Sequence, residues 1–139
     1  MALHTLIVDD DPVILLIMKK LLEKSDFDSS PLFFENGLTA LNHLKENYVL
    51  NDRYVVMLDI NMPVMNGWEF LAELEKFADA TNTFVFVVSS SIDETDVQKA
   101  NSNQYVLRYL SKPVYTDTLI SLKEMLDVKR EKSEKKVSG

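Results

Sequence analysis

The sequence predicts an α/β fold: a doubly wound (βα)5 sandwich built on a five-stranded parallel sheet. Five short runs rich in β-branched and aromatic residues alternate with longer segments of helical period. The runs are apolar almost throughout rather than alternately, so both faces of the sheet should be covered by helices. At 139 residues, 46% of them apolar, the chain has the length and composition of one compact domain.

Leu6-Ile7-Val8 is the first run and stops at Asp9-Asp10-Asp11. Pro12 then suits the first turn of a helix, whose core stripe is expected to be Ile14, Ile17, Met18 and Leu21. Leu32-Phe33-Phe34 is a second run; after Asn36-Gly37 comes a helix with Ala40, Leu41 and Leu44 on its buried side. Tyr54 to Leu58 forms the third run and ends at Asp59. The loop Asn61 to Gly67 leads into a helix from Trp68 to Phe77, with Phe70, Leu71 and Leu74 facing the core. Phe84 to Val88 is followed by Ser89-Ser90-Ser91, where Ser90 and Ser91 read as turn residues, Ser91 alternatively as a contact for an incoming group, and Asp93 or Thr95 as the next helix cap. The fifth run, Tyr105 to Leu110, ends at Ser111-Lys112-Pro113, and a last helix extends from Asp117 to about Lys129. The expected domain is 1–127. Residues 128–139 form a polar C-terminal tail, either a helix extension or disordered.

Composition excludes several classes. With 22 acidic against 15 basic residues the formal charge is −7, which argues against direct binding of nucleic acid. There is no cysteine, so disulfide scaffolds, thiol nucleophiles and cysteine-held metals are ruled out. The longest apolar run, Val13 to Met18, is too short to span a bilayer, and the N-terminus lacks the basic start of a secretory signal. The expectation is a cytoplasmic protein without membrane contact.

In a doubly wound sheet the functional crevice lies at the carboxyl ends of the strands. Asp9, Asp10 and Asp11 follow the first run, Asp59 the third, Ser89 the fourth and Lys112 the fifth. Carboxylates gathered on one rim repel one another unless a cation neutralises them. An oxygen-only ligand set without His or Cys suits a hard divalent ion, Mg²⁺, which keeps open positions for phosphate oxygens. The chemistry indicated is phosphoryl transfer.

Val8-Asp9-Asp10, Leu58-Asp59 with Met62-Pro63-Val64-Met65-Asn66-Gly67, Val88-Ser89-Ser90 and Tyr109-Leu110-Ser111-Lys112-Pro113 together resemble the response regulator receiver domain, in the stand-alone, chemotaxis-regulator-like form. The resemblance extends from about Leu3 to Leu126. It implies the flavodoxin-like strand order 2-1-3-4-5. It also implies that Asp59 is the phosphoacceptor, taking its group from a phosphohistidine on a sensor histidine kinase or histidine phosphotransfer protein. Asp9, Asp10, Asp59 and the backbone carbonyl of Asn61 would hold Mg²⁺; Lys112 and Ser89 would meet phosphoryl oxygens. Ser89 and Tyr109 would form a switch that alters a binding surface for an unknown downstream protein. The Lys112-Pro113 peptide is a candidate cis bond on the same ground. Such a chain would not be an enzyme beyond phosphorylating and dephosphorylating itself.

Simpler roles fit other residues. Asp11 before Pro12 reads as a helix cap, His4 and His43 as surface residues, and Trp68, Met62 and Met65 as packing. The first helix carries surplus apolar residues, Val13, Leu15, Leu16 and Leu22, of which Val13, Leu15 and Leu16 are candidates for docking the phosphodonor. The segment Asn101 to Tyr105 is one residue longer than the family pattern. Two other classes compete: a phosphorylation-independent interaction module on the same fold, and an aspartate-nucleophile phosphatase, faintly indicated by Asp59-Ile60-Asn61. The phosphatase class places its nucleophile after the first strand and needs an acid where Asn61 stands.

Overall fold

A computed structural model describes residues 2–138, with side chains described as far as Arg130. Its elements run in strict alternation. Strands are β1 (Leu3–Val8), β2 (Leu32–Phe34), β3 (Arg53–Leu58), β4 (Thr83–Ser89) and β5 (Val106–Ser111). Helices are α1 (Pro12–Lys24), α2 (Gly37–Asn47), α3 (Gly67–Leu74), α4 (Glu94–Asn101) and α5 (Thr116–Ser138). All strand pairs are parallel, in the order β2-β1-β3-β4-β5. The flavodoxin-like order expected from the resemblance is therefore present.

Successive residues of each strand serve opposite faces, which splits the interior into two apolar layers. Leu6 and Val8, with Val56, Leu58, Val85 and Val87, meet α2, α3 and Ala100 of α4. Ile7, Val55, Met57, Phe86 and Val88 meet α1 and α5 through Met18, Leu22, Leu119, Leu122 and Leu126. The central strands are buried along nearly their whole length. β5 and the three-residue β2 lie at the sheet edges and are only partly covered. Continuous burial thus holds for the three inner strands and fails at the two edges, where one neighbour is missing.

Helix starts follow the caps read from sequence. Asp11 accepts from the Val13 N–H, and Asp93 from the Thr95 N–H. Asn66 and Glu69 form a reciprocal capping box on α3. The buried stripes of α2 and α3 are those expected. On α1, Ile14, Met18 and Leu21 pack as expected, but Ile17 is 45% exposed and Leu22 is fully buried in its stead. A helix so rich in apolar residues offers several stripes at helical spacing, and contact with β1 and α5 selects Ile14, Met18, Leu21 and Leu22. Toward its end α3 departs from expectation, stopping at Leu74 and passing through a Glu75 C-cap into a tight turn. α5 continues to Ser138 through a stretch free of Gly and Pro, the helix-extension alternative for the tail.

Candidate functional site at the carboxyl rim of the sheet

β1 and β3 are neighbours in register, Val8 opposite Leu58, so the residues that follow them emerge side by side. Asp9 and Asp59 are thus brought together by strand pairing. The Asp59 N–H donates to the Val8 carbonyl, and the Asp9 N–H to that of Phe34. Both carboxylates are almost fully buried, at 3% and 6% exposure, whereas Asp10 faces solvent. Beneath them Ile7, Ile14, Met18, Met57 and Val88 make an apolar floor.

Lys112 reaches this pair from the end of β5. Its N–H is anchored on the Ser89 carbonyl, and the Lys112-Pro113 peptide is cis, as expected. Lys112 Nζ donates to Asp9 Oδ2 at 2.7 Å and lies 3.6 Å from Asp59 Oδ2. Burial alone would push its ammonium down. The hydrogen bond to Asp9 and the charges of Asp59 and Asp9 outweigh that, so its pKa rises. Asp59 is shifted the other way in terms of charge. Burial raises its pKa, the Asn61 N–H and Lys112 offset part of the effect, and Asp9 and Asp10 raise it further. Asp59 therefore holds its charge at a cost, and three carboxylates share a single lysine.

A divalent cation would add positive charge there. Oxygens of Asp9, Asp10 and Asp59 all lie within 4.8 Å of one another, a carboxylate set suited to a hard ion. Asn61 sits beside the group, its N–H donating to Asp59 Oδ1 at 3.2 Å.

Two glycines hold the loop after β3 in place. A Cβ on Gly67 would come within 2.7 Å of the Ile60 Cα and 2.9 Å of the Asp59 carbonyl oxygen. A Cβ on Gly37 would meet the Met65 carbonyl oxygen at 2.9 Å. Close approach, not backbone freedom, is what glycine provides at these positions. The same loop holds Val64 at φ 70°, a left-handed conformation that a β-branched residue adopts only under strain.

Ser89 ends β4 fully buried, and Tyr109 on β5 donates its hydroxyl to the Ser91 carbonyl at 2.8 Å. Of the docking candidates on α1, Val13 and Leu16 are exposed; Leu15 is half-buried against the core. His4 lies within β1 and not before it, and its Nε2 donates to Asp52 Oδ2 at 2.8 Å. His43 stays on the surface of α2 beside Phe34. Met62 and Met65 pack into the core, as does Trp68, whose ring has Lys99 Nζ 5.5 Å from its centroid. The sequence offers Ser91 as a turn residue or a contact for an incoming group and gives no partner to Asp96, yet Ser91 Oγ donates to Asp96 Oδ2 at 2.9 Å. The Ser-x-x-x-x-Asp spacing was visible but has no established meaning by itself.

A parallel sheet covered by helices on both faces thus carries three carboxylates and one lysine at its carboxyl rim, where doubly wound folds place their functional crevice. The family model for the response regulator receiver domain matches residues 5–124, and the chain belongs to that family, the signalling modules of two-component systems. The chain is 30% identical to the chemotaxis protein CheY of Halobacterium salinarum, over 86% of this chain and 95% of that protein. It is 36% identical to the transcriptional regulatory protein CpxR homolog of Haemophilus influenzae over 63% of this chain, and spans 36% of that longer protein. A response regulator receiver protein from Dyadobacter fermentans superposes with a TM-score of 0.79 at 28% identity, covering 92% of this chain and 98% of that one. Among the described residues, no helix is long and apolar enough to cross a membrane.

Proposed function

We propose that this chain accepts a phosphoryl group on Asp59 from a phosphohistidine of a kinase or phosphotransfer protein and thereby alters a protein-binding surface. The observation that carries the reading is the buried Asp59 carboxylate, flanked by Asp9 and Asp10 and faced by Lys112 at 3.6 Å. An ionised carboxylate needs no general base, so catalysis reduces to alignment and charge neutralisation. A carboxylate oxygen of Asp59 attacks phosphorus. The bond from phosphorus to the donor's imidazole nitrogen breaks, its electron pair stays on that nitrogen, and a mixed carboxylic–phosphoric anhydride remains.

Asp9, Asp10, Asp59 and the Asn61 carbonyl would hold Mg²⁺, which when bound supplies Lewis-acid neutralisation of phosphoryl oxygens. Lys112 exchanges part of its pairing with Asp9 for a phosphoryl oxygen, acting as a compact point charge. Ser89 donates its hydroxyl to another oxygen, and Tyr109 responds to the change around Ser89. Val13, Leu15 and Leu16 on α1 serve as contacts for the phosphodonor, Leu15 through its exposed edge only. The cytoplasm is the compartment this chemistry assumes.

The test is labelling with acetyl phosphate and Mg²⁺ followed by intact mass measurement. A base-labile adduct on the wild type that is missing from Asp59→Asn supports the reading. Multiple turnover of phosphate esters would point to a phosphatase, and no adduct with any donor to a phosphorylation-independent module.

A further inference from the structure

Four hydrogen bonds converge on Ser91, and they lead to three different parts of the molecule. Its N–H donates to the buried Ser89 Oγ at 3.0 Å. Its carbonyl accepts from the Tyr109 hydroxyl at 2.8 Å. Its own hydroxyl donates to Asp96 Oδ2 at 2.9 Å and accepts from the Asp93 N–H at 3.2 Å. Asp93 caps α4 and Asp96 lies in its first turn, so the side chain of Ser91 grips α4 while its backbone grips Ser89 and Tyr109.

We infer that Ser91 and Asp96 form the coupling that transmits a change at Ser89 to helix α4. The inference rests on the proposed phosphorylation of Asp59 and deepens it by naming the positioning pair. A serine oxygen drawn toward a phosphoryl group on Asp59 cannot stay where the Ser91 N–H now finds it. Either that hydrogen bond lengthens or the Ser91 peptide follows. In both cases the displacement reaches the Ser91 side chain, and through Asp96 it reaches the start of α4. The grip is local: α4 buries only Ala100 fully and has a polar, largely exposed surface, so little apolar packing opposes its movement. On its other side Lys99 lies over Trp68, the single tryptophan of the chain, which gives the helix an intrinsic optical reporter.

Ser91→Ala separates the two halves of this junction, since it keeps the backbone bonds to Ser89 and Tyr109 and deletes only the link to α4. Asp96→Ala removes the same link from the other side. The experiment compares wild type, both variants and Ser91→Thr, each labelled with acetyl phosphate and Mg²⁺ to the same occupancy by intact mass. The readouts are the phosphorylation-induced amide shifts of residues 94–101 by NMR and the change in Trp68 fluorescence.

The expected result is at least a threefold smaller response in Ser91→Ala and Asp96→Ala, with Ser91→Thr close to wild type because it retains the hydroxyl. Tyr109 should respond fully in all of them. An undiminished α4 response in both alanine variants would overturn the coupling, even if they are less stable, because a merely structural bond affects stability and leaves the response intact. A wild type that takes no label would overturn the phosphoacceptor reading and this inference with it.

Discussion

The two ends of the same sheet have been built on opposite principles. At the carboxyl rim, carboxylates crowd together with one lysine between them, Asp59 is held above its ordinary pKa, and Val64 is kept in a left-handed backbone. At the amino end, Tyr48, Tyr54 and Asn82 are each hydrogen-bonded several times over. The Tyr48 hydroxyl donates to Asn82 Oδ1 at 2.6 Å, lies 2.9 Å from Thr83 Oγ1 and accepts from the Asp79 N–H at 2.8 Å. The Tyr54 hydroxyl donates to the Asn47 carbonyl and accepts from the Val49 N–H, and its ring stacks between those of His4 and Tyr48. Asn82 Nδ2 ties down the carbonyls of Leu50 and Asp52. The difference teaches that electrostatic tension and polar satisfaction are distributed to separate poles, so that the rim can stay unfavourable while the other end holds the strands in register.

Substitutions should separate the poles, and the largest effect is expected at Asp59. Asp59→Asn should abolish the acetyl phosphate adduct in intact mass spectra. In metal-free buffer the same variant should melt higher than wild type. A carboxylate whose folded pKa lies above its unfolded value loses stability as pH rises between the two. The gain should therefore be full above that window and fade below it; a lower melting temperature at neutral pH would break the contrast. Next in size, Gly67→Ala forces the loop away from Ile60 and Asp59 and should slow labelling about tenfold, with about 1–3 kcal/mol of stability lost in urea titration. Tyr48→Phe removes the hydroxyl that bonds the buried Asn82 and Thr83 side chains and leaves the Asp79 N–H to water. It should cost about 1–3 kcal/mol while leaving labelling at wild-type rates.

Smaller still, Val64→Gly should stabilise the chain by about 1 kcal/mol by relieving the left-handed valine. The least effect is expected from His4→Phe. The His4 hydrogen bond, and after it the Ala2 N–H, hold the Asp52 carboxyl below its ordinary value of 3.8. Such a group contributes stability above its unfolded pKa and loses it as pH falls through its folded one. Acid titration of the variant should accordingly show a shallower loss of stability below that value than the wild type does.

The rim was more legible in the sequence than the opposite pole, for a physical reason. Rim residues stand at the ends of apolar runs, so the fold's own punctuation marks Asp9, Asp59, Ser89 and Lys112. Tyr48, Asp79 and Asn82 belong to two crossover connections and Tyr54 to the start of β3, and no spacing in the chain announces that they meet. Ser91 escaped for a related reason: its partners are set by where β5 and α4 lie beside it. On α1 the stripe was right at Ile14, Met18 and Leu21 and wrong at Ile17, since Ile17 and Leu22 are equally apolar and only the neighbouring elements decide which is covered.

The rim gathers residues that follow β1, β3, β4 and β5, and no two of these strands join through a hairpin. Every crossover must close before Lys112 can stand beside Asp9, 103 positions earlier in the chain. Such long-range pairing makes folding slow relative to local helix formation. Competence to take a label should therefore appear late in refolding, in step with burial of the last strand, so that covalent modification of Asp59 can serve as a clock for completion of the native sheet.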